Sequence, residues 1–501
     1  MKKLILLCLL LLLSSCSFSL DLPKPNSGEQ QPSKEEPTED KEEKPSGDNG
    51  GKIEPSSDSE KQDIAKNSYD DLFDLNNKVY ISIDIDNNEL QKIENNYNCD
   101  TYRLANKVTI KIVKPDDTII EESISQVGIK MKGNTSRSNF FEAGNIYQNV
   151  HFKLSFTETF DDPLEYTKDE MIKWNNDEER NVRDDRTFFG LKKLELKWNR
   201  EEDLTYSRDI YASKVYKQFG IYAQSTTLGV LSFSNQTFQN ENKDLGLYKV
   251  YEAVDKTFVK RNFGKSNKDG DLYKASWGSN VGMPNLNNTK SSGIGVDDSL
   301  YHDRKTVTYA LKTNKSSSDF SSIKRFFSFI NGSDLEADFA SYMNEEYFIT
   351  FMAIQYLTGD WDNFLYDSNN YYMYFDNNNL CYFIPYDMDR TFGIQAKGND
   401  MANRSPLDNW NLQGENNSSQ LLKKTIFKNN SHLQEAYLNK IKAIASTVLS
   451  EENFQEVYNL IYQNYGDQYE IVYSDGGPDS PNNAFLSYIE KKLAAIDDAN
   501  N

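Results

Sequence analysis

The sequence predicts an α+β fold, and three observations carry that expectation. Short runs in which apolar residues alternate with polar ones fill the first half, apolar stripes at helical spacing fill the last third, and an aromatic hairpin flanked by aspartates stands between them. Strands first and helices afterwards describe a sheet-rich N-terminal lobe at about 75–260 and a helical C-terminal lobe at about 336–500. The 501 residues hold no internal repeat, which argues against a solenoid or a propeller.

The chain opens with Lys2 and Lys3, an apolar run Leu4–Leu13, and then Ser14, Ser15 and Cys16. That run is too short to span a bilayer as a helix, and the small residues before Cys16 mark a processing site. The segment 1–16 resembles a bacterial lipoprotein signal with its lipobox. The resemblance implies cleavage before Cys16, lipid on its thiol, export, and anchoring at the cell membrane or cell surface. Residues 17–66 follow as a tether: from Leu22 to Lys66 the chain is mostly Pro, Ser, Gly, Glu, Lys and Asp, without one aromatic residue. Such a composition cannot bury enough apolar surface to offset the entropy of ordering it. The folded part is therefore expected at 67–501.

Within it, Val79, Ile81, Ile83 and Ile85 alternate with other residues and predict a strand over Lys78–Asp86, and Leu90 and Ile93 predict a helix over Asn87–Tyr97. Strands are expected at Lys107–Val113, Val127–Lys132, Phe152–Phe156 and Leu191–Trp198. A helix at Arg208–Phe219 is stopped by Gly220, and strands return at Thr226–Phe233, Leu245–Val254 and Thr306–Leu311. Glu345–Leu357 is apolar on nearly all sides after its first turn, as suits a buried helix. Helices near Leu433–Leu449, Phe454–Tyr465 and Ala484–Ile496 close the chain.

A formal net charge of −21 excludes nucleic acid as a partner and binding to anionic membrane surfaces, since both require a basic face. The lipid on Cys16 is thus the one membrane contact expected. The same charge favours cationic ligands and divalent metals. Outside the signal only Cys99 and Cys381 remain, a pair that makes no disulfide framework and is expected to stay unpaired. His151, His302 and His432 are too scattered for zinc spacing, and no local motif supports a Ser-His-Asp hydrolase.

The densest chemistry lies in Thr358–Gly393. Asn370–Phe375 and Leu380–Ile384 read as two strands joined by the turn Asp376–Asn379, which brings Asp360 and Asp362 on one flank near Asp387 and Asp389 on the other. Carboxylates crowded in this way repel one another unless a divalent cation sits among them. Asp387 and Asp389, two residues apart along an expected strand, would project to one face and reach one cation.

Six segments in order, GIKMKGNTSR at 128–137, FKLSF at 152–156, FGLKKLELKW at 189–198, GLYKVYE at 246–252, NYYMY at 370–374 and IPYDMDRTFG at 384–393, resemble the CotH kinase family. The resemblance spans most of 75–450. It implies an atypical, two-lobed kinase-like fold in a spore coat or surface protein, and ATP-dependent phosphorylation of Ser/Thr in protein substrates with Mg²⁺ or Mn²⁺. A kinase needs a loop over the phosphates, a cation to neutralise them, a carboxylate to take the acceptor proton, and oxygen ligands for metal. Lys132, Asn134 and Arg137, in a Gly- and hydroxyl-containing turn, are the phosphate-loop candidates. Lys153 is the candidate phosphate-contacting lysine with Glu252 as its ion-pair partner, and Arg137 is its rival for that task. Asp360 or Asp362 is the base, Asn370 or Asn369 with Asp387 and Asp389 the metal ligands, and Arg390 a cation beside the transferred phosphate.

Two other readings compete. Asp387-Met-Asp-Arg-Thr391 fits the DxDxT motif of haloacid dehalogenase-like phosphatases, although the mostly helical stretch that follows lacks the α/β region that fold needs. A surface adhesin or coat-assembly protein that keeps the kinase-like shape without turnover is the third reading, favoured by export into a space where ATP is scarce.

Overall fold

The computed structural model describes residues 68–499, apart from 134–135, 143–144, 147–149, 174–175, 240, 276, 278–280, 288–292, 302–303, 395–399 and 474–484. The expected signal with Cys16, the tether, and Asn134 lie outside the described residues. No helix among the described residues is long and apolar enough to cross a membrane.

Fourteen strands form among the described residues. β1 (Lys78–Asp84), β2 (Arg103–Val113), β3 (Ile119–Lys132), β6 (His151–Ser155), β7 (Lys193–Trp198), β8 (Thr226–Ser234) and β9 (Asn242–Glu252) close into a barrel in the order β1-β2-β3-β6-β7-β9-β8. Six of its seven seams are antiparallel, and the closing one, β1 with β8 from Tyr80↔Val230 to Asp84↔Ser234, is parallel. β4 (Phe141–Glu142) and β5 (Asn145–Ile146) form a small hairpin beside it. A second sheet runs β11 (Ile294–Gly295), β12 (Tyr309–Leu311), β10 (Asp271–Ala275), β13 (Tyr371–Phe375), β14 (Cys381–Pro385).

The alternation read in the sequence fills the barrel. Val79, Ile81 and Ile83 of β1 meet Val108, Ile110 and Ile112 of β2, Ile129 and Met131 of β3, Phe152 and Leu154 of β6, and Leu194 and Leu196 of β7 in one buried core. The intervening residues of β3, β6, β7 and β9 therefore make an outer wall whose side chains are strongly polar. Lys130 stands opposite Lys153, Lys132 opposite His151, Lys153 opposite Glu195, and Lys197 opposite Lys249.

The larger core surrounds the helix Glu345–Thr358, every residue of which is buried from Phe348 onward. Asn344 caps its start by accepting from the Tyr347 amide, and Gly359 ends it at φ +61°. A Cβ at Gly359 would also lie 2.2 Å from the Tyr488 hydroxyl, so glycine is required on both counts and delivers the chain directly to Asp360. Helices His432–Val448, Glu451–Tyr465 and Phe485–Asp498 form near the expected positions.

The α+β class holds, and the strands of the sheet-rich first half close into a barrel, which the expectation did not specify. Strands are also not confined to that half, since the second sheet includes the 358–393 hairpin. The polar helix Asp177–Asp185 escapes a pattern search because only Arg183 of it is buried; Lys256–Phe263, Ser321–Ile330 and strand β10 were likewise not expected. Cys99 and Cys381 are both buried and unpaired. The phosphatase alternative fails on topology. The DxDxT segment leaves β14, an edge strand paired only with antiparallel β13, whereas that chemistry needs a parallel sheet carrying further acidic loops.

Candidate active site

The second sheet packs its β13–β14 end against the outer wall of the barrel, and the site forms at that seam. Tyr386, just past β14, donates its hydroxyl hydrogen to Glu195 Oε2 at 3.1 Å. One residue later the backbone turns: Asp387 adopts φ +57°, in the left-handed region. This turn, rather than strand alternation, aims Asp387 and Asp389 together, which corrects the expected reason while keeping the convergence. Both carboxylates ion-pair with the buried Lys197 of β7, Asp387 through a short contact and Asp389 at 2.7 Å, and Arg200 Nε reaches Asp389 Oδ2 at 2.8 Å.

Burial works to raise both acids, but Lys197, together with Lys132 at Asp387 and Arg200 at Asp389, outweighs it and keeps them below the usual carboxylate range. They are therefore ionised at neutral pH. Among the described residues no group of three or more His, Cys, Asp or Glu side chains stands in a metal-holding arrangement. Two charged carboxylates are nevertheless what Mg²⁺ takes from a protein when phosphate and water supply its other oxygens. The Lys197 ammonium now sits where such a cation fits.

The opposite flank is built by the loop after Gly359. Asp360 is 3% exposed and its Oδ1 accepts from the Asp362 amide at 2.9 Å, so it shapes the loop. Burial, then the charge of Asp362, pushes its carboxyl well above the ordinary value. Asp362 is half-buried and accepts from Asn369 Nδ2 at 3.0 Å; burial and the charges of Asp387 and Asp389 raise it despite that bond. Asn370, at φ +52°, donates its amide to the Asp362 carbonyl at 3.0 Å, and its own carbonyl accepts from the Tyr386 amide at 3.0 Å. The two aspartate pairs are thus stitched together through Asn370. Arg390 lies 4.0 Å from both Asp389 and Glu202 and stacks over Trp361 at 4.7 Å.

The expected phosphate-side residues divide. Lys132 is 3.4 Å from Glu195, and Lys153 is 2.7 Å from it, so Glu195 rather than Glu252 is the acid that holds both lysines. Glu252 points away into a separate cluster, held by Tyr69 at 2.7 Å, by the Ser225 amide and by a short contact from Arg261. Arg137 is committed to structure: it donates to Gly133 O at 2.9 Å and pairs with Asp100 at 2.5 Å. The sequence reading missed Lys197 and Glu195. Their signal was present in LKKLELKW, where three charged residues alternate with leucines on one strand face, the mark of a polar wall over a barrel core. It also missed His151, whose Nδ1 accepts from the Trp198 amide at 2.9 Å and which burial, then Lys197 and Lys132, hold down to about 3, hence neutral.

Comparison with known proteins places the chain in a family. A sequence model of the family described as CotH kinase protein matches residues 167–472, more than half of the chain and all of the acidic site. Among curated proteins, the chain is similar to Invasin CotH2 of Rhizopus delemar, 25% identical over 205 residues covering 39% of this chain and 31% of that protein. It is similar also to Invasin CotH3 of the same fungus, 26% identical over 224 residues covering 42% of this chain and 32% of that one. The chain thus aligns with about a third of the length of these relatives. With the match extending across both aspartate pairs and the β7 residues Lys193, Glu195 and Lys197 that face them, the chain belongs to the CotH kinase protein family.

Proposed function

We propose that this protein is a surface-displayed, metal-dependent atypical protein kinase that transfers the terminal phosphate of ATP to Ser/Thr of surface or coat proteins. The observation that carries the reading is the convergence of Asp387 and Asp389 on one cation position beside Asp362. Asp362 is the base: it is half-buried, while Asp360 is closed off and committed to its loop. Its raised carboxyl suits proton abstraction better than an ordinary one. In the transfer, the acceptor hydroxyl oxygen forms a bond to the γ-phosphorus as the bond to the β,γ-bridging oxygen breaks. ADP leaves with that electron pair, and the hydroxyl proton passes to Asp362. Asp387, Asp389 and the Asn370 side chain would hold Mg²⁺ or Mn²⁺, which when bound neutralises phosphate charge. Lys132 and Lys153, fixed by Glu195, and Lys197 once released from the aspartates, bind phosphate oxygens. Arg390 stands at the mouth to meet the transferred group. A kinase-like two-lobed reading of the barrel and the helical part, and a lipid on Cys16 that holds the domain at the cell surface, complete the proposal.

A second reading is favoured by the relatives named invasins: a surface adhesin in which Lys197 keeps the two aspartates permanently paired and no nucleotide enters. Transfer of labelled phosphate from ATP to a basic protein and to the chain itself, with Mn²⁺ or Mg²⁺, separates the two. Labelling that requires metal and is lost in Asp387→Ala is the expected result; a folded protein that labels nothing fits the adhesin.

A further inference from the structure

In a chain with a formal charge of −21, the seam between the barrel wall and the second sheet is lined with lysines. Lys130 and Lys132 come from β3, Lys153 from β6, Lys193 from β7 and Lys274 from β10, and all five are half-buried. Lys312, just past β12, is exposed at the rim and feels the like charges of Lys315, Lys153 and Lys130. Glu195 holds Lys132 and Lys153, and Asp100 holds Lys130 at 3.2 Å. Lys193, Lys274 and Lys312 stand in no ion pair among the described residues, although Asp255, Glu195 and Asp297 soften the repulsion from farther off. Burial, then the charge of Lys153, pushes Lys193 down to about 8, and burial drives Lys274 well below its ordinary value.

Half-buried ammonium groups without a paired carboxylate, as at Lys193 and Lys274, cost folding energy, and an anion returns it when it binds. The lysines follow the strands away from Lys197 and the aspartates: Lys197, Glu195 and Lys193 alternate along β7, each step of two residues spanning roughly 7 Å. The row thus continues past the position of a metal-bound phosphate. Three rings along this track already carry an ammonium over the ring. Tyr102 is capped by Lys130 at 4.8 Å, Tyr386 by Lys274 at 4.3 Å and Lys132 at 5.2 Å, and Tyr372 by Lys274 at 5.8 Å. A nucleobase stacking on an ammonium-bearing face would have to displace that ammonium.

We infer that the lysine seam is a binding track for a chain of phosphoanhydride-linked phosphates, selected by charge along the chain and not by the base at its end. This rests on the kinase reading of the neighbouring aspartates only in where the track begins. A nucleoside triphosphate and inorganic polyphosphate share the chemistry, and titration calorimetry of the full chain with Mn²⁺ distinguishes them. The probes are ATP, GTP, tripolyphosphate and pyrophosphate, against wild type and the Lys193→Gln/Lys312→Gln pair. Tripolyphosphate is expected to bind within a few-fold of ATP and GTP and more tightly than pyrophosphate. The double variant should weaken all three longer ligands by about tenfold or more, as loss of charge-assisted contacts demands. Thermal unfolding of that variant, unchanged or raised because repulsion is relieved, shows that the loss is local. ATP binding without tripolyphosphate binding overturns the track and leaves the kinase reading standing. Tripolyphosphate binding without ATP binding supports the track and removes ATP as donor. Binding of none overturns both.

Discussion

Asp360 and Asp362 are two residues apart yet live in different chemistry. Asp360 is buried against its own loop, is pushed toward the neutral acid, and accepts a bond that an amide oxygen accepts equally well. Asp360→Asn is therefore expected to leave thermal stability unchanged or higher at neutral pH, because it replaces a carboxyl that burial penalises when ionised. Asp362→Asn removes the proposed proton acceptor while keeping an amide in its place. The expected outcome is a loss of about 10²- to 10⁴-fold in phosphate transfer with calorimetric binding of the Mn²⁺–nucleotide pair retained; loss of binding instead would assign Asp362 to the metal. The aspartates were legible because Asp and Asn at fixed offsets around two aromatic strands leave few other reasons for so much charge. Lys197 and Glu195 were not, since a strand lysine ordinarily points to water and nothing local to residues 193–198 reveals a second sheet arriving over that face. Glu252 was misassigned for the same cause: one strand position decided whether it faced Lys153 or Arg261.

Between β9 and the helix Arg208–Gln218 lies the charge network that fixes the wall relative to the DMD turn. Lys249 of β9 pairs with Asp209 at 2.6 Å and Asp203 at 3.2 Å, all three buried. Arg208 reaches Asp203 at 2.8 Å and donates from Nε to the Phe392 carbonyl at 3.1 Å, three residues past Asp389. The strand, the helix start and the segment leaving the metal site are thus held by one set of mutually compensating charges. Removing the cation strands the Asp209 carboxylate, while Asp203 keeps Arg208, and breaking a buried pair in this way costs about 3–5 kcal/mol. Lys249→Met should lower the denaturant midpoint by a shift of that size at unchanged slope, whereas a change below about 1 kcal/mol would mean that water reaches the network. Most strand and helix positions came from the sequence where one face was apolar, although β3 begins at Ile119, well before the expected Val127. The elements that escaped include the polar helix Asp177–Asp185, the helices Lys256–Phe263 and Ser321–Ile330, and β10, whose neighbours in the sheet are distant in sequence.

Barrel closure is a property of the whole molecule and left no local trace: β1 and β8 pair in parallel across some 150 residues of chain, so only long-range contacts specify it. Charge behaves likewise, because a total of −21 points to cationic partners while the folded chain collects lysines at one seam and hides another in the helical part. That other lysine is Lys492, fully buried, donating to the Met401 carbonyl at 2.6 Å with its ammonium 4.1 Å from the Tyr356 ring. Burial holds it down to about 7 from an ordinary 10.5. A base depressed on folding is neutral in the folded chain and protonated in the unfolded one between those two values. The unfolded state then binds the extra proton, so the Lys492 contribution to stability rises as pH climbs from about 7 to 10.5 and is most unfavourable below that window. Growing repulsion among the excess acids opposes this trend in the wild type, so the absolute curve does not isolate the lysine. The difference curve does: Lys492→Met keeps the aliphatic stem and removes the titration, and its stability relative to wild type should be most favourable near pH 6 and decline steadily toward pH 10. Thermal midpoints of both proteins at matched ionic strength check it, and a pH-independent difference would mean that Lys492 stays protonated within its aromatic surroundings.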